Sequence, residues 1–117
     1  MRRKLAKNEI EAIIKIEAAL VRGDYESISC EAGRSRLSKT EIENALKPYS
    51  GMVTFAPEYI LNSLEAIAVG EDDSGKLAVD FDLWIDGRQS DLTLSMSLHQ
   101  QPSNREVEVF IEDLHTL

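Results

Sequence analysis

Three runs in the C-terminal half alternate apolar and polar residues almost without error. They are KLAVDFDLWID at 76–86, DLTLSMSLHQ at 91–100 and EVEVFIEDL at 106–114. Successive side chains of a strand point to opposite faces, so this pattern predicts an antiparallel sheet with one buried and one wetted face. Leu77, Val79, Phe81, Leu83 and Ile85 take the buried face. Leu92, Leu94, Met96 and Leu98 join them, followed by Val107, Val109 and Ile111. Gly87 within DGRQSD marks a tight hairpin. QQPSNR makes the next connection, and EDDSG at 71–75 reads as a polar hairpin turn.

A sheet with one apolar face needs a cover, and the first half supplies helices. Apolar residues recur at helical spacing from Asn8 to Arg22, with Asn8 and Glu11 as the expected cap and Gly23 as the stop. GDYESI reads as a turn and a short helical piece, with Tyr25 and Ile28 turned inward, and CEAGRSR as a loop. SKTE at 38–41 is a capping box, flanked by a Leu37–Ile42 hydrophobic staple. Pro48 limits that helix. The stretch 57–70 fits a helix or a strand; a turn at 57–61 and a strand at 63–70 are expected. With neither repeats nor linkers, the 117 residues read as a single α+β domain, 1–117. Its N-terminal helices pack on one face of a four-stranded antiparallel meander.

Charge bears on partners rather than on fold. Residues 1–48 carry 10 basic and 8 acidic side chains, whereas residues 49–117 carry 3 and 13. The acidic half repels phosphates, which argues against nucleic acid and favours a basic protein partner. Nothing approaches the roughly 18 apolar residues of a membrane helix, so no membrane role is expected. MRRKLAKNEIEAI has no apolar run to make it a secretory signal. The single cysteine, Cys30, rules out a disulfide within the chain and suits a reducing, cytoplasmic setting. His99 and His115 have no ligand partners at metal spacing. GRSR at 33–36 is not a phosphate loop. No cofactor, metal or catalytic residue is expected.

The wetted face holds the candidate site. Pairing Asp86 with Asp91 sets Trp84 opposite Thr93, Asp82 opposite Ser95 and Asp80 opposite Ser97. Pairing His99 with Glu106 sets Phe110 opposite Ser95, Glu108 opposite Ser97 and Glu112 opposite Thr93. Trp84 and Phe110 then stand about 10 Å apart, two strand spacings, as aromatic anchors over a Ser/Thr floor. Carboxylates ring them. The expected partner-binding residues are Asp80, Asp82, Trp84, Asp86, Glu108, Phe110 and Glu112. Large aromatics give contact energy and the charges steer a basic partner. The competing expectation is that a chain segment covers this face and buries Trp84 as core.

The pattern VDFDLW, SDLTLSMSL, VEVFIEDLHTL resembles small bacterial α+β domains of unknown function that end in D-L-W, S-D-L-T-L and I-E-D-L-H runs. In size, charge and build the chain also looks like immunity proteins of contact-dependent growth-inhibition systems. That resemblance implies a non-enzymatic protein that neutralises a cognate basic toxin domain, a nuclease for example, and acts as a monomer or weak dimer. The helix, helix, sheet order is similar to cystatin-like and NTF2-like folds. It implies the alternative of a small-ligand-binding protein or minor enzyme.

Overall fold

The computed structural model describes residues 2–68, 76–100 and 106–116. The EDDSG turn and the QQPSNR connection beyond Gln100 lie outside the described residues. Among those residues, six strands form one antiparallel sheet: β1 (Arg2–Lys4), β2 (Val53–Thr54), β3 (Glu65–Ala68), β4 (Lys76–Ile85), β5 (Arg88–Gln100) and β6 (Val107–Thr116). Their spatial order is β1-β3-β4-β5-β6, with β2 paired to β4 beyond the end of β3. The fold class is therefore α+β, and the four-stranded meander exists as β3 to β6. The sheet is two strands larger than expected. β1 and β2 are 3 and 2 residues long, too short to show a period, and β1 reads as a run of cations.

Three helices complete the chain: α1 (Lys7–Val21), α2 (Lys39–Leu46) and α3 (Glu58–Asn62). α1 buries Ile13, Ile16, Ala19 and Leu20 in one core with Phe81, Leu83, Met96 and Ile111. Its start differs from the expected Asn8–Glu11 cap. The capping residue is Ala6, whose backbone N–H donates to Glu9 Oε1 at 2.7 Å. Glu9 is in turn gripped by Arg3 through hydrogen bonds of 3.0 and 2.7 Å. That clamp ties edge strand β1 to α1. Gly23 ends the helix at φ 76°, a left-handed value that glycine takes without strain.

The Ser38 capping box is present. Glu41 N donates to Ser38 Oγ at 3.1 Å and Ser38 N donates to Glu41 Oε1 at 3.2 Å. Residues 58–62 are a helix after Pro57 rather than a turn; of the strand expected over 63–70, Glu65–Ala68 is β3, residues 63 and 64 precede it, and 69 and 70 lie outside the described residues. Inside CEAGRSR, Cys30–Ala32 is a 3-10 turn and Ser35 forms a parallel bridge with Ile111 at the β6 edge.

Register is where the structure departs most from expectation. Asp86 and Gly87 have φ of 52° and 77°, the two positive values of a type I′ turn. That two-residue turn sets Trp84 opposite Gln89, four residues from the expected Thr93, and a break beyond it reduces the offset to two, so Asp82 faces Thr93 and Asp80 faces Ser95. Beyond Asp82 the next pair is Trp84 with Gln89, which leaves Ser90, Asp91 and Leu92 opposite Leu83 alone. Ser90 Oγ fills the break, donating to Leu83 O at 2.6 Å and accepting from Leu92 N at 3.2 Å. β6 carries a second bulge. Ser95 faces Asp113 and Met96 faces Ile111, so Glu112 is the extra residue. The bulge turns both Glu112 and Asp113 outward and returns Leu114 to the core.

Candidate functional site: the outer face of the sheet

With α1 on the inner face, the even-numbered side chains of β4 stand on the outer one. The face is built of cross-strand rows. Lys76, His99 and Glu108 form one row; Ala78, Ser97 and Phe110 the next. Asp80, Ser95 and Asp113 follow, then Asp82, Thr93 and His115. The last row is Thr54, Trp84 and Gln89.

The expected floor of small hydroxyls is not passive. Thr93 Oγ1 donates to Asp82 Oδ1 at 2.7 Å, and Gln89 Nε2 donates to Asp82 Oδ2 at 3.0 Å. Ser95 Oγ donates to Asp80 Oδ1 at 2.8 Å, and Ser97 Oγ donates to Glu112 Oε1 at 3.4 Å. Each carboxylate is therefore held in a fixed direction by a neighbouring side chain. Thr93 and Ser97 are only 1% and 4% exposed, so these donors are shielded by the side chains around them. A hydrogen bond from a shielded donor to a charged acceptor is among the stronger ones.

The seven expected binding residues divide into three groups. Asp80 and Glu108 are exposed on the outer face, and Asp82 and Glu112 are half-buried there. Glu112 also accepts from Arg36 Nε at 3.0 Å, across the β6 edge. Phe110 is half-buried opposite Ser97 rather than Ser95.

Trp84 and Asp86 depart from expectation. Trp84 packs against the hydrophobic core, and its buried indole N–H has no hydrogen-bond partner among the described residues. It is half-covered rather than a free anchor. The pairing of Trp84 with Phe110 also fails. Trp84 stands six residues along β4 from the row that holds Phe110, which is about 20 Å at the rise of a strand. Asp86 belongs to the turn. Its Oδ1 accepts from Met52 N at 3.0 Å, and its own N–H donates to Met52 O at 2.9 Å. The residues before β2 are stitched to the hairpin in this way, with Gly87 N donating to Thr54 Oγ1 at 2.9 Å.

Sequence reasoning missed Asp113 and His115, because a bulge reverses the facing of every residue beyond it. His115 Nδ1 lies 3.1 Å from Asp113 Oδ2. Ile67 on β3 was missed as well. It is an exposed aliphatic on the same face, next to Ala78. Among the described residues Arg2 and Lys4 form no ion pair with the acids of this face, although Arg2 shares a concavity with Asp80 and Glu65. Arg3 turns inward to Glu9, while Arg2 and Lys4 sit at the far edge opposite Ile67 and Glu65.

Tyr49 and Glu17 are among the titrating groups elsewhere that are displaced from their ordinary values. The Tyr49 hydroxyl donates to Asp91, which pushes it up to about 12. Burial pushes the Glu17 carboxyl up, against the pull of the Ala56 N–H that it accepts at 2.9 Å. Among the described residues no cluster of His, Cys, Asp and Glu is placed to hold a metal ion. Nor, among them, is any helix long and apolar enough to cross a membrane.

Helices on one face of an antiparallel sheet, with a carboxylate-rich opposite face, place the chain among single-sheet α+β proteins. Residues 18–117 match the domain of unknown function DUF7668, and the chain belongs to that family. Neither a curated protein nor a solved structure matches it.

Proposed function

We propose that this chain is a non-enzymatic binding protein whose outer sheet face takes a basic protein partner. The particular form we favour is an immunity protein that neutralises a cognate basic toxin domain. The observation that carries the reading is the set of outward carboxylates aimed by fixed donors: Asp80 by Ser95, Asp82 by Thr93 and Gln89, Glu112 by Ser97. Exposed Glu108 and Asp113 widen the set. Fixed carboxylates meet an incoming cation without first being ordered, which lowers the cost of association. Like charge on one face also steers an opposite partner and rejects others. Ile13, Leu20, Phe81, Leu83 and Met96 fill the space where a small-ligand protein would keep a pocket.

Growth rescue tests this. Cells producing a basic toxin domain encoded beside this chain are protected by the wild type. Reversing two exposed charges, Asp80→Lys with Glu108→Lys, abolishes protection while the far-ultraviolet spectrum stays unchanged. Full protection by the folded double variant overturns the proposal.

A further inference from the structure

One cross-strand row runs the width of the outer face: Arg2, Ile67, Ala78, Ser97 and Phe110. Its two central side chains are small and its flanking ones are large. Ile67 is 44% exposed, whereas the apolar residues of the inner face are covered. Three strand spacings separate Ile67 from Phe110, about 14 Å, so the row is a low floor between two apolar walls. On the Ile67 side a trough of about 320 Å³ opens, lined by Leu64, Ile67 and Ala78 and bounded by Glu65 and Asp80. Apolar walls thus meet carboxylates within one concavity. Arg2 stands at its outer end and forms no ion pair with either acid among the described residues.

We propose that this trough receives one long basic side chain, lysine or arginine, presented by the partner protein. The inference rests on the basic-partner reading of the face and assigns it a specificity-determining subsite. The aliphatic stem lies along Leu64, Ile67 and Ala78, and the cationic head meets Asp80 and Glu65. Long cationic side chains bury their methylenes on apolar surface while the head stays among polar groups. A short cation gains the charge but not the stem contact. Ala78 is the residue that keeps the floor open, since a larger side chain there fills the space between Ile67 and Ser97.

Two hexapeptides of equal charge separate stem contact from charge. One is hexalysine; the other is the hexamer of 2,4-diaminobutyric acid, whose side chain is two methylenes shorter. Each is titrated into the full chain at about 10 mM ionic strength, where the screening length is about 30 Å, and followed by amide chemical shifts. Hexalysine is expected to bind about five- to tenfold tighter than the short hexamer, the contribution of its added methylenes. Ala78→Leu brings that ratio close to one and leaves the short hexamer unaffected. Ile67→Thr, a change at an exposed position, gives the same result if Ala78→Leu does not fold. Equal affinities in the wild type, or a ratio that survives both variants, overturn the subsite. Failure of both peptides to perturb the outer face is a different outcome, which removes the basic-partner reading together with the subsite.

Discussion

At the scale of single residues, two buried glutamates of α1 behave oppositely. Glu9 is pushed up by burial, but the Arg3 hydrogen bonds, the Ala6 N–H and the Arg3 charge together outweigh this and hold it below the usual carboxylate range. Its stabilising contribution is present above the unfolded value and is lost as pH falls through the lowered folded one. Arg3→Met leaves Glu9 without its cation. Because Arg3 is itself partly exposed, the expected cost is about 1–2 kcal/mol, less than for a fully buried pair. A urea midpoint measurement at pH 7 checks it. Glu17 is 1% exposed and its Oε1 has no partner among the described residues. Burial raises its folded value above the ordinary 4.5. The folded protein then holds a proton that the unfolded chain has released, so stability declines as pH rises from about 4.5 through the raised value. Glu17→Gln removes this slope. Unfolding midpoints from pH 4.5 to 8 are expected to be flatter for the variant than for the wild type, and identical slopes refute the assignment.

Gly51 shows why a small residue sits before β2. A Cβ there would lie 2.1 Å from Asp86 Oδ2, and that carboxylate is held by Met52 N. The oxygen cannot move without breaking the bond that joins the β2 segment to the hairpin. Gly51→Ala is expected to cost about 1–3 kcal/mol, in the range of substitutions that overpack a fixed contact. Thermal unfolding reads this directly.

Elements in this protein are defined by their ends. α2 spans 8 residues, fewer than an isolated helix needs in water, so the Ser38–Glu41 box and burial of Ile42 carry it. Ser38→Ala removes the acceptor for Glu41 N and is expected to cost about 1 kcal/mol. The β4–β5 hairpin is set by its turn. Asp86 and Gly87 both need positive φ, which aspartate tolerates and glycine takes freely. Past the turn the pairing slips by two residues, an even number, so Leu92 and Leu94 stay on the inner face while their partners change. The bulge at 90–92, bridged by Ser90 Oγ, absorbs the slip. Bulges re-aim side chains, and the one at Glu112 sets two consecutive acids on the outer face.

Across the whole molecule, the sheet separates two tasks. Its inner face and α1 hold the core, with Ile13, Leu83 and Phe81 almost wholly buried. Its outer face carries Asp80, Asp82, Glu108, Glu112 and Asp113, five of the 13 acidic side chains of residues 49–117, which hold only 3 basic ones. Exposed charge of one sign acts over a Debye length, so association with a basic partner is expected to be salt-dependent. The association rate falls at least about tenfold between 10 and 150 mM ionic strength, while the dissociation rate changes little. Stopped-flow mixing monitored through Trp84, the single tryptophan, measures both. An association rate indifferent to salt would sink electrostatic capture by this face.

The alternation of 76–85 and 92–98 by itself determined a one-sided antiparallel sheet, because facing depends only on odd or even position. The apolar period of 10–21 and the SKTE box determined the two longer helices, since caps and helical stripes are local signals. The carboxylates Asp80 and Asp82 were legible as outward for the same reason. Tertiary structure alone decided what each of them faces. Register depends on the turn and on bulges, and a bulge costs little locally while displacing every later pair. That is why Asp80 meets Ser95 rather than Ser97, and why Asp113 turns outward beside Glu112. Tertiary packing also drew Trp84 against the core, gave Asp86 to the β2 segment, and placed Ile67 beside Ala78. These are contacts between segments distant in the chain, and no local pattern encodes them.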